Sequence, residues 1–243
     1  MNRRDDIYAE PQSKVTGFVF DETVADVFPD MIQRSVPGYA TTLAMLGVIA
    51  QQYAQPYTHI YDLGCSLGAG IVAMRQRIHC ERCTLIGIDN SPAMAARCRE
   101  QVKQHPGQCP VQIECADILD VAIENAAVVV LNFTLQFIDV AQRASLLKKI
   151  YAGLKPGGVL VLSEKIKFAD PQQQRINETL HHQFKQANGY SLLEISQKRS
   201  ALEKVLIPET MATHRERLLT TGFSACDTWF RCFNFVSWVA LKR

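Results

Sequence analysis

His59-Ile60-Tyr61-Asp62-Leu63-Gly64-Cys65-Ser66-Leu67-Gly68-Ala69-Gly70 is the stretch whose reading decides the fold. It runs as a short strand, a tight glycine turn and the start of a helix. Glycines at such a turn accept positive φ and let the backbone come close to a ligand. The helix beyond presents free N–H groups and a partial positive charge at its first turn. That suits a nucleotide or another ligand with polar and anionic groups. Asp62 ends the strand, where its carboxylate is placed to accept a hydrogen bond or pair with a cation. The spacing is not G-x-G-x-x-G, and Ser66 stands where a D-x-G-x-G-x-G pattern has its middle glycine. Taken alone, the stretch is equally an ordinary βα turn of a parallel sheet.

The next strand tips the balance. Thr84-Leu85-Ile86-Gly87-Ile88-Asp89 is an apolar run closed by an acid about 20 residues beyond the glycine turn, where an acid takes ribose hydroxyls. Asn90-Ser91-Pro92 then opens a helix, with Ser91 as N-cap and Pro92 in its first turn. Working outward, Val111–Ala116 reads as a third strand with Asp117-Ile118 at its end. Residues 126–133 form a fourth, nearly all apolar strand that includes Asn132. Residues 141–154 form a helix, Lys155-Pro156-Gly157-Gly158 a turn and Val159–Glu164 a fifth strand. Strands alternating with helices at this pace make right-handed βαβ units and a parallel sheet. Ligands bind at the carboxyl ends of such strands. Asp62, Asp89, Asp117 and Asn132 all fall there.

Upstream, residues 1–54 read as an N-terminal arm and helical cap. The arm to about residue 17 is polar and irregular. Asp21 caps a helix, Pro29–Arg34 continues as a short helix or turn, and Tyr39 lies in a loop where its ring can cover the ligand or simply pack. Residues 55–243 form the nucleotide-binding domain, with a helical insertion over 165–207. Two β-rich runs about Asn234, Asp227–Phe233 and Phe235–Leu241, make an antiparallel pair at the end of the chain.

With 243 residues and 47% hydrophobic content, the chain can bury a sizeable core. A net charge of +2 without a long basic run argues against a direct grip on nucleic acid. No apolar run is long enough to span a membrane, and the polar start is unlike a signal peptide, so a soluble cytoplasmic protein is expected. The eight cysteines are scattered, which suits reduced thiols. Cys80-Glu81-Arg82-Cys83 lacks the second pair that a zinc site needs, so no metal is expected.

The order of elements and the closing hairpin resemble the class I S-adenosylmethionine-dependent methyltransferase fold. The matching residues are Asp62–Gly68, Asp89, Asp117-Ile118 and Leu154–Gly158. The resemblance implies an α/β, Rossmann-like domain with a mostly parallel sheet and an antiparallel C-terminal hairpin. A closer likeness runs nearly end to end. Residues 27–39, 61–68, 130–137 and 193–199 resemble the carboxy-S-adenosylmethionine synthase family of gamma-proteobacteria. It implies that S-adenosylmethionine and prephenate become carboxy-S-adenosylmethionine, phenylpyruvate and water. A separate tRNA carboxymethyltransferase then uses the product on wobble uridine. The resemblance also implies a homodimer and a cofactor site of Tyr39, Gly64, Cys65, Ser66, Asp89, Asn90, Asp117, Ile118, Asn132 and Arg199.

The chemistry fits. A sulfonium makes its methyl group unusually acidic, and capture of CO2 at that carbon needs a pocket that excludes water. A guanidinium suits the new carboxylate, and Arg199 is the candidate; on residue pattern alone it is a solvated helix arginine. Arg34, Lys165, Lys198 and Arg199 are candidates for the two carboxylates of prephenate, with surface solvation as the plain alternative for each. The leaving hydroxyl of prephenate can take the methyl proton. His181-His182 could serve instead, but adjacent histidines on a polar helix are expected to be exposed. The other readings are an ordinary methyltransferase and a non-catalytic binder. Asn132-Phe133-Thr134-Leu135 lacks the N-P-P-Y-type strand end of amino-group methyltransferases.

Overall fold

The structure is a computed structural model that describes residues 3–243. Seven strands form one sheet: β1 (His59–Leu63), β2 (Thr84–Asp89), β3 (Val111–Cys115), β4 (Ala126–Asn132), β5 (Leu154–Lys165), β6 (Ala225–Cys232) and β7 (Phe235–Leu241). Their spatial order is β3-β2-β1-β4-β5-β7-β6. The first five run parallel, and β7 is antiparallel to both β5 and β6. The helices are α1 (Glu22–Ser35), α2 (Tyr39–Tyr53), α3 (Ala69–Arg75), α4 (Pro92–Gln104), α5 (Val140–Gly153), α6 (Pro171–Ala187), α7 (Leu192–Leu202) and α8 (Met211–Thr221).

Side chains alternate across a strand, and the central strands show why both sheet faces must be covered. In β4, Val128 and Val130 enter a core shared with Leu46 of α2 and Met74 of α3. Val129 and Leu131 enter the opposite core, with Leu146 and Ile150 of α5 and Leu218 of α8. All four valines and leucines are fully buried, each worth roughly 1.5–3 kcal/mol of apolar transfer. A third cluster joins Val24 and Met31 of α1 to Tyr8, Phe18, Met94 and Ala201. It seats the N-terminal arm and α1 over the rim of the sheet.

Several boundaries differ from the sequence reading for local reasons. Residues 22–35 form one continuous helix through Pro29. A proline removes only one helical N–H, and Val24, Ala25, Val27 and Met31 anchor the helix on both sides of it. Tyr39 opens α2 rather than lying in a loop, because Gly38 adopts the left-handed cap with φ 74°. Lys155–Gly158 is an irregularity inside β5 rather than a turn before it. The register against β4 jumps from Ala126↔Leu154 to Val128↔Val159, while Gly157 N–H donates to the Lys242 carbonyl at 2.8 Å.

A buried ion pair fastens the far side of the rim. Arg143, with no side-chain exposure, meets Glu209 at 2.6 Å, and Arg217 takes the other oxygen of Glu209 at 2.5 Å. The Arg143 guanidinium also donates to the carbonyls of Ile138, Gln136 and Ile207. It thus ties α5 to the short 3-10 turn Leu135–Phe137 and to the segment entering α8. Arg143→Ala leaves the Glu209 carboxylate under-compensated in the interior. We expect a loss of about 3–5 kcal/mol in chemical denaturation; a change under about 1 kcal/mol would show that the pair is dispensable.

Candidate active site

The parallel order of the strands sets the polar groups side by side. Asp117 follows β3, Asp89 ends β2, Asp62 lies near the end of β1, Asn132 ends β4 and Lys165 ends β5. These residues line a cavity of about 260 Å³. Asp89 and Lys165 stand three strand spacings apart, roughly 14 Å at ~4.8 Å each. Acids therefore occupy one end of the cavity and amines the other.

The loop after β1 is held against β2. Gly64 and Cys65 donate their N–H groups to the Ile88 carbonyl at 2.8 and 3.0 Å. Ser66 N–H donates to one oxygen of Asp89 at 2.8 Å, and Ser91 N–H donates to the other at 2.9 Å. Asp89 so joins the glycine loop to the cap of α4 and keeps further lone pairs for ligand hydroxyls. Gly64 has φ 81°, and a Cβ there would collide with the Thr134 side chain. A Cβ on Gly70 would lie 2.7 Å from Asp62 Oδ2, so the helix start and the carboxylate approach only because Gly70 has no side chain.

Electrostatics mark the acidic end as a seat for a cation. Burial pushes the Asp62 carboxyl up to about 7, and the nearby charge of Asp89 adds to the rise. Burial also raises Asp89, while the N–H groups of Ser91 and Ser66 pull it back. Burial, with Asp62 close by, pushes the Tyr39 phenol well above its ordinary value. Asn132 Oδ1 is buried without a hydrogen-bond partner, an acceptor waiting for a donor. A nucleoside carrying a sulfonium and an ammonium fits these groups: its hydroxyls to Asp89, its cationic part to Asp62 and Asn132.

The wall between the two ends is apolar. Phe20 packs edge-on against Phe18 at 5.1 Å and Phe137 at 5.3 Å, and Phe133 meets Phe235 at 5.8 Å. At the amine end stand Lys165, Lys185 and Lys198 with His181.

Tyr39, Gly64, Cys65, Ser66, Asp89, Asn90, Asp117, Ile118 and Asn132 all line this one cavity. Arg199 does not. Its side chain is 63% exposed and lies 3.9 Å from Glu178 on the protein surface. The cause is helical rotation: α7 turns Lys198 inward, and the next residue points about 100° away. His181 is a second correction, buried rather than exposed. Its Nε2 lies 2.8 Å from the Ser35 carbonyl and its ring packs edge-on against Phe235. Arg34 and Lys198 are not solvated surface cations either. Arg34 pairs with Asp30 at 2.9 Å, and Lys198 with Asp5 at 3.1 Å. Sequence reading missed Lys185 and the phenylalanines of the arm. Lys185 had a signal, since it follows His181 by one helical turn and shares its face; Phe18 and Phe20 had none. Among the described residues, no group of three or more His, Cys, Asp or Glu is placed to hold a metal. Among the described residues, no helix is long and apolar enough to cross a membrane.

Fold and site together define a Rossmann-like protein of the class I methyltransferase type. Residues 60–158 match the family model described as "Methyltransferase domain". The fold is shared with magnesium protoporphyrin IX methyltransferase from Synechocystis, solved with bound SAH. The TM-score is 0.59 at 14% identity, covering 98% of this chain and 91% of that one. Two relatives are much closer. The carboxy-S-adenosyl-L-methionine synthase of Geobacter metallireducens is 61% identical over 242 residues, and that of Trichlorobacter lovleyi is 60% identical over 241. Each alignment covers 99% of both chains. The chain belongs to the carboxy-S-adenosyl-L-methionine synthase family. It is an enzyme, a transferase that works with S-adenosylmethionine.

A cationic ligand favours the ionised form of Asp62, so binding lowers a carboxyl that stands at about 7 in the free protein. Proton release must therefore accompany binding below that pH. We expect the affinity for S-adenosylmethionine to fall as pH drops through 7, by up to about tenfold per unit. Asp62→Asn should flatten the profile. Calorimetric titrations from pH 6 to 8.5 measure both, and an unchanged slope in the variant would clear Asp62 of the role.

Proposed function

We propose that the enzyme converts S-adenosylmethionine and prephenate into carboxy-S-adenosylmethionine, phenylpyruvate and water. The separation of charge along one apolar-walled cavity carries this reading. A reaction between a cationic nucleoside and a ring-bearing dicarboxylate needs an acid seat, a basic seat and a dry path between them. Asp62, Asp89 and Asn132 supply the first, the lysines the second, and the phenylalanines the third.

S-adenosylmethionine brings a methyl group acidified by its sulfonium. The chain's own part is to hold the two substrates together and keep water out. Loss of CO2 and hydroxide from prephenate leaves phenylpyruvate. The hydroxide takes one methyl proton and becomes water, and the CO2 bonds to that carbon. Atoms and charge balance without a protein base. His181 is pushed down to about 2, by burial first and then by Lys185 and Lys165, so it stays neutral. Closure of the cavity matters because free CO2 and a carbanion-like methyl are both lost to water.

Arg199 enters this reading through a second copy of the chain. It lies on the outer face of α7 together with Leu192, two turns earlier on the same helix face and 70% exposed. An exposed leucine beside an outward arginine suits a homodimer in which Arg199 reaches the product carboxylate in the neighbouring pocket. Cytoplasmic location and delivery of the product to a tRNA-carboxymethylating enzyme belong to the same proposal, without direct contact to nucleic acid.

Incubation with S-adenosylmethionine and prephenate, followed by mass spectrometry of the nucleoside, tests the reaction. A gain of one CO2 unit is expected; S-adenosylhomocysteine would instead mark an ordinary methyltransferase, and an unchanged nucleoside a mere binder. For Arg199→Ala we expect at least a tenfold drop in carboxylated product, with S-adenosylmethionine binding changed less than threefold. Equal loss of both would reduce Arg199 to a structural residue.

A further inference from the structure

The cations around the cavity divide into two kinds. Lys198 Nζ donates to Asp5 at 3.1 Å and to Ser35 Oγ at 3.3 Å, so its charge is matched within the fold. Arg34 has its charge paired in the same cluster, by Asp30 with the Asp5 and Asn188 carbonyls, and lies 3.8 Å over the Tyr190 ring; its Nη2 has no partner, but the residue does not line the cavity. Lys165 and Lys185 differ. Among the described residues, neither ammonium has a carboxylate within 4.0 Å or any hydrogen-bond acceptor. Lys185 is nevertheless 91% buried, and both line the cavity.

An unmatched ammonium with little access to water is unfavourable, and two together are more so. A fold keeps such a pair where an anion from outside completes it. The neighbouring residues define which anion. His181 Nε2 faces the Ser35 carbonyl, so that nitrogen carries the proton and Nδ1 remains an acceptor. Phe133 and Phe235 stand beside it as an apolar wall. The site therefore suits a carboxylate carried on a short side chain of an unsaturated ring.

We propose that Lys165 and Lys185 form the subsite for the carboxylate that the carboxyl donor retains through the reaction. The inference rests on the function proposed above and assigns residues to its second substrate. The chemistry explains why two amines gather at one end. A cation on the departing carboxylate would stabilise the starting state and slow decarboxylation. The retained carboxylate can be gripped in reactant and product alike, which fixes the ring and leaves the departing group among the phenylalanines. With Lys198 and Arg34 already matched by Asp5 and Asp30, these two lysines are the anchors left.

The grip carries a proton signature. Lys185 is pushed down to about 7, chiefly by burial, then by Lys165 on β5 and by Lys198 and Arg199 on α7. His181 and His182 on its own helix are both held low, and Glu178 faces Lys165. A carboxylate arriving between the lysines raises Lys185 again, so binding takes up a proton near and above pH 7. The donor's affinity should fall as pH rises, opposite in sign to the nucleoside's dependence on Asp62.

Lys185→Met and Lys165→Met are the test, with Lys185→Arg as the charge-keeping control. We expect KM for prephenate to rise at least tenfold in each Met variant, the affinity for S-adenosylmethionine to stay within threefold, and Lys185→Arg to recover part of the loss. Because methionine relieves an unmatched buried charge, Tm should rise, which the loss of a structural lysine would not produce. Calorimetry with phenylpyruvate, the product that keeps only this carboxylate, should show proton uptake in wild type at pH 7.5 and none in Lys185→Met. Wild-type KM, together with unchanged phenylpyruvate binding in both Met variants, would overturn the subsite. Failure of wild type to make a carboxylated nucleoside would sink the proposed reaction instead, and phenylpyruvate binding would still decide the subsite.

Discussion

A parallel sheet delivers the carboxyl ends of its strands to one rim, and that single constraint governs the chemistry of this protein. Five successive strands end in Cys115, Asp89, Leu63, Asn132 and Lys165, when taken in spatial order. Whatever polar residue closes or follows each strand is then fixed within a strand spacing of its neighbour. The charge gradient of the cavity is accordingly written along the sheet, with acids over β3, β2 and β1 and an amine over β5. No loop has to fold independently to create it. The helices above the rim only close the space and add the second and third lysines.

The tuning of the acids follows from the same placement. Asp89 uses both oxygens on backbone N–H groups, which keeps its charge affordable despite burial. Asp62 has no such support, so its carboxyl stands much higher. The two acids sit on adjacent strands yet play different parts: Asp89 is organised by the protein, whereas Asp62 depends on a cationic ligand for its ionised form. The same asymmetry recurs among the amines. Lys198 is held by Asp5, whereas among the described residues Lys185 has no such partner. Among the groups that line the cavity, those satisfied by the fold shape it, and those left unsatisfied are the candidates for contact with ligands.

That distinction also separates what the sequence made legible from what it did not. Strand ends are local features, and an apolar run closed by a polar residue is visible without a structure. Asp62, Asp89, Asp117 and Asn132 could be read this way, and the residues flanking them came with the turns. Direction around a helix is harder. Arg199 and Lys198 are neighbours in sequence, but one faces water and the other Asp5, and nothing in α7 alone says which. Its apolar residues are too evenly spread to fix a buried face. His181 was misjudged for a related reason, because the groups that bury it, Ser35 and Phe235, come from distant parts of the chain. The break expected at Lys155–Gly158 failed similarly, since pairing with Lys242 near the chain end carries the strand through it.

The N-terminal arm shows how far such long-range effects reach. Its described residues before α1 carry no helix or strand, yet Phe18 and Phe20 of the arm line the cavity. Asp5 is buried against Lys198 and Tyr190, Gln12 N–H donates to Gln197 Oε1 of α7, and Phe18 N–H donates to the Ala201 carbonyl. Ser91, at the cap beside Asp89, donates its hydroxyl to the Phe20 carbonyl. A buried ion pair such as Asp5–Lys198 contributes little net stability once both charges are desolvated. Its physical effect is positional: only one register of the arm puts Asp5 opposite Lys198, and that register brings Phe18 and Phe20 into the wall. By matching the charge of Lys198, the same contact leaves Lys165 and Lys185 as the unmatched pair. The arm therefore sets both the dryness of the cavity and the location of its remaining positive charge, two properties that the proposed reaction requires together.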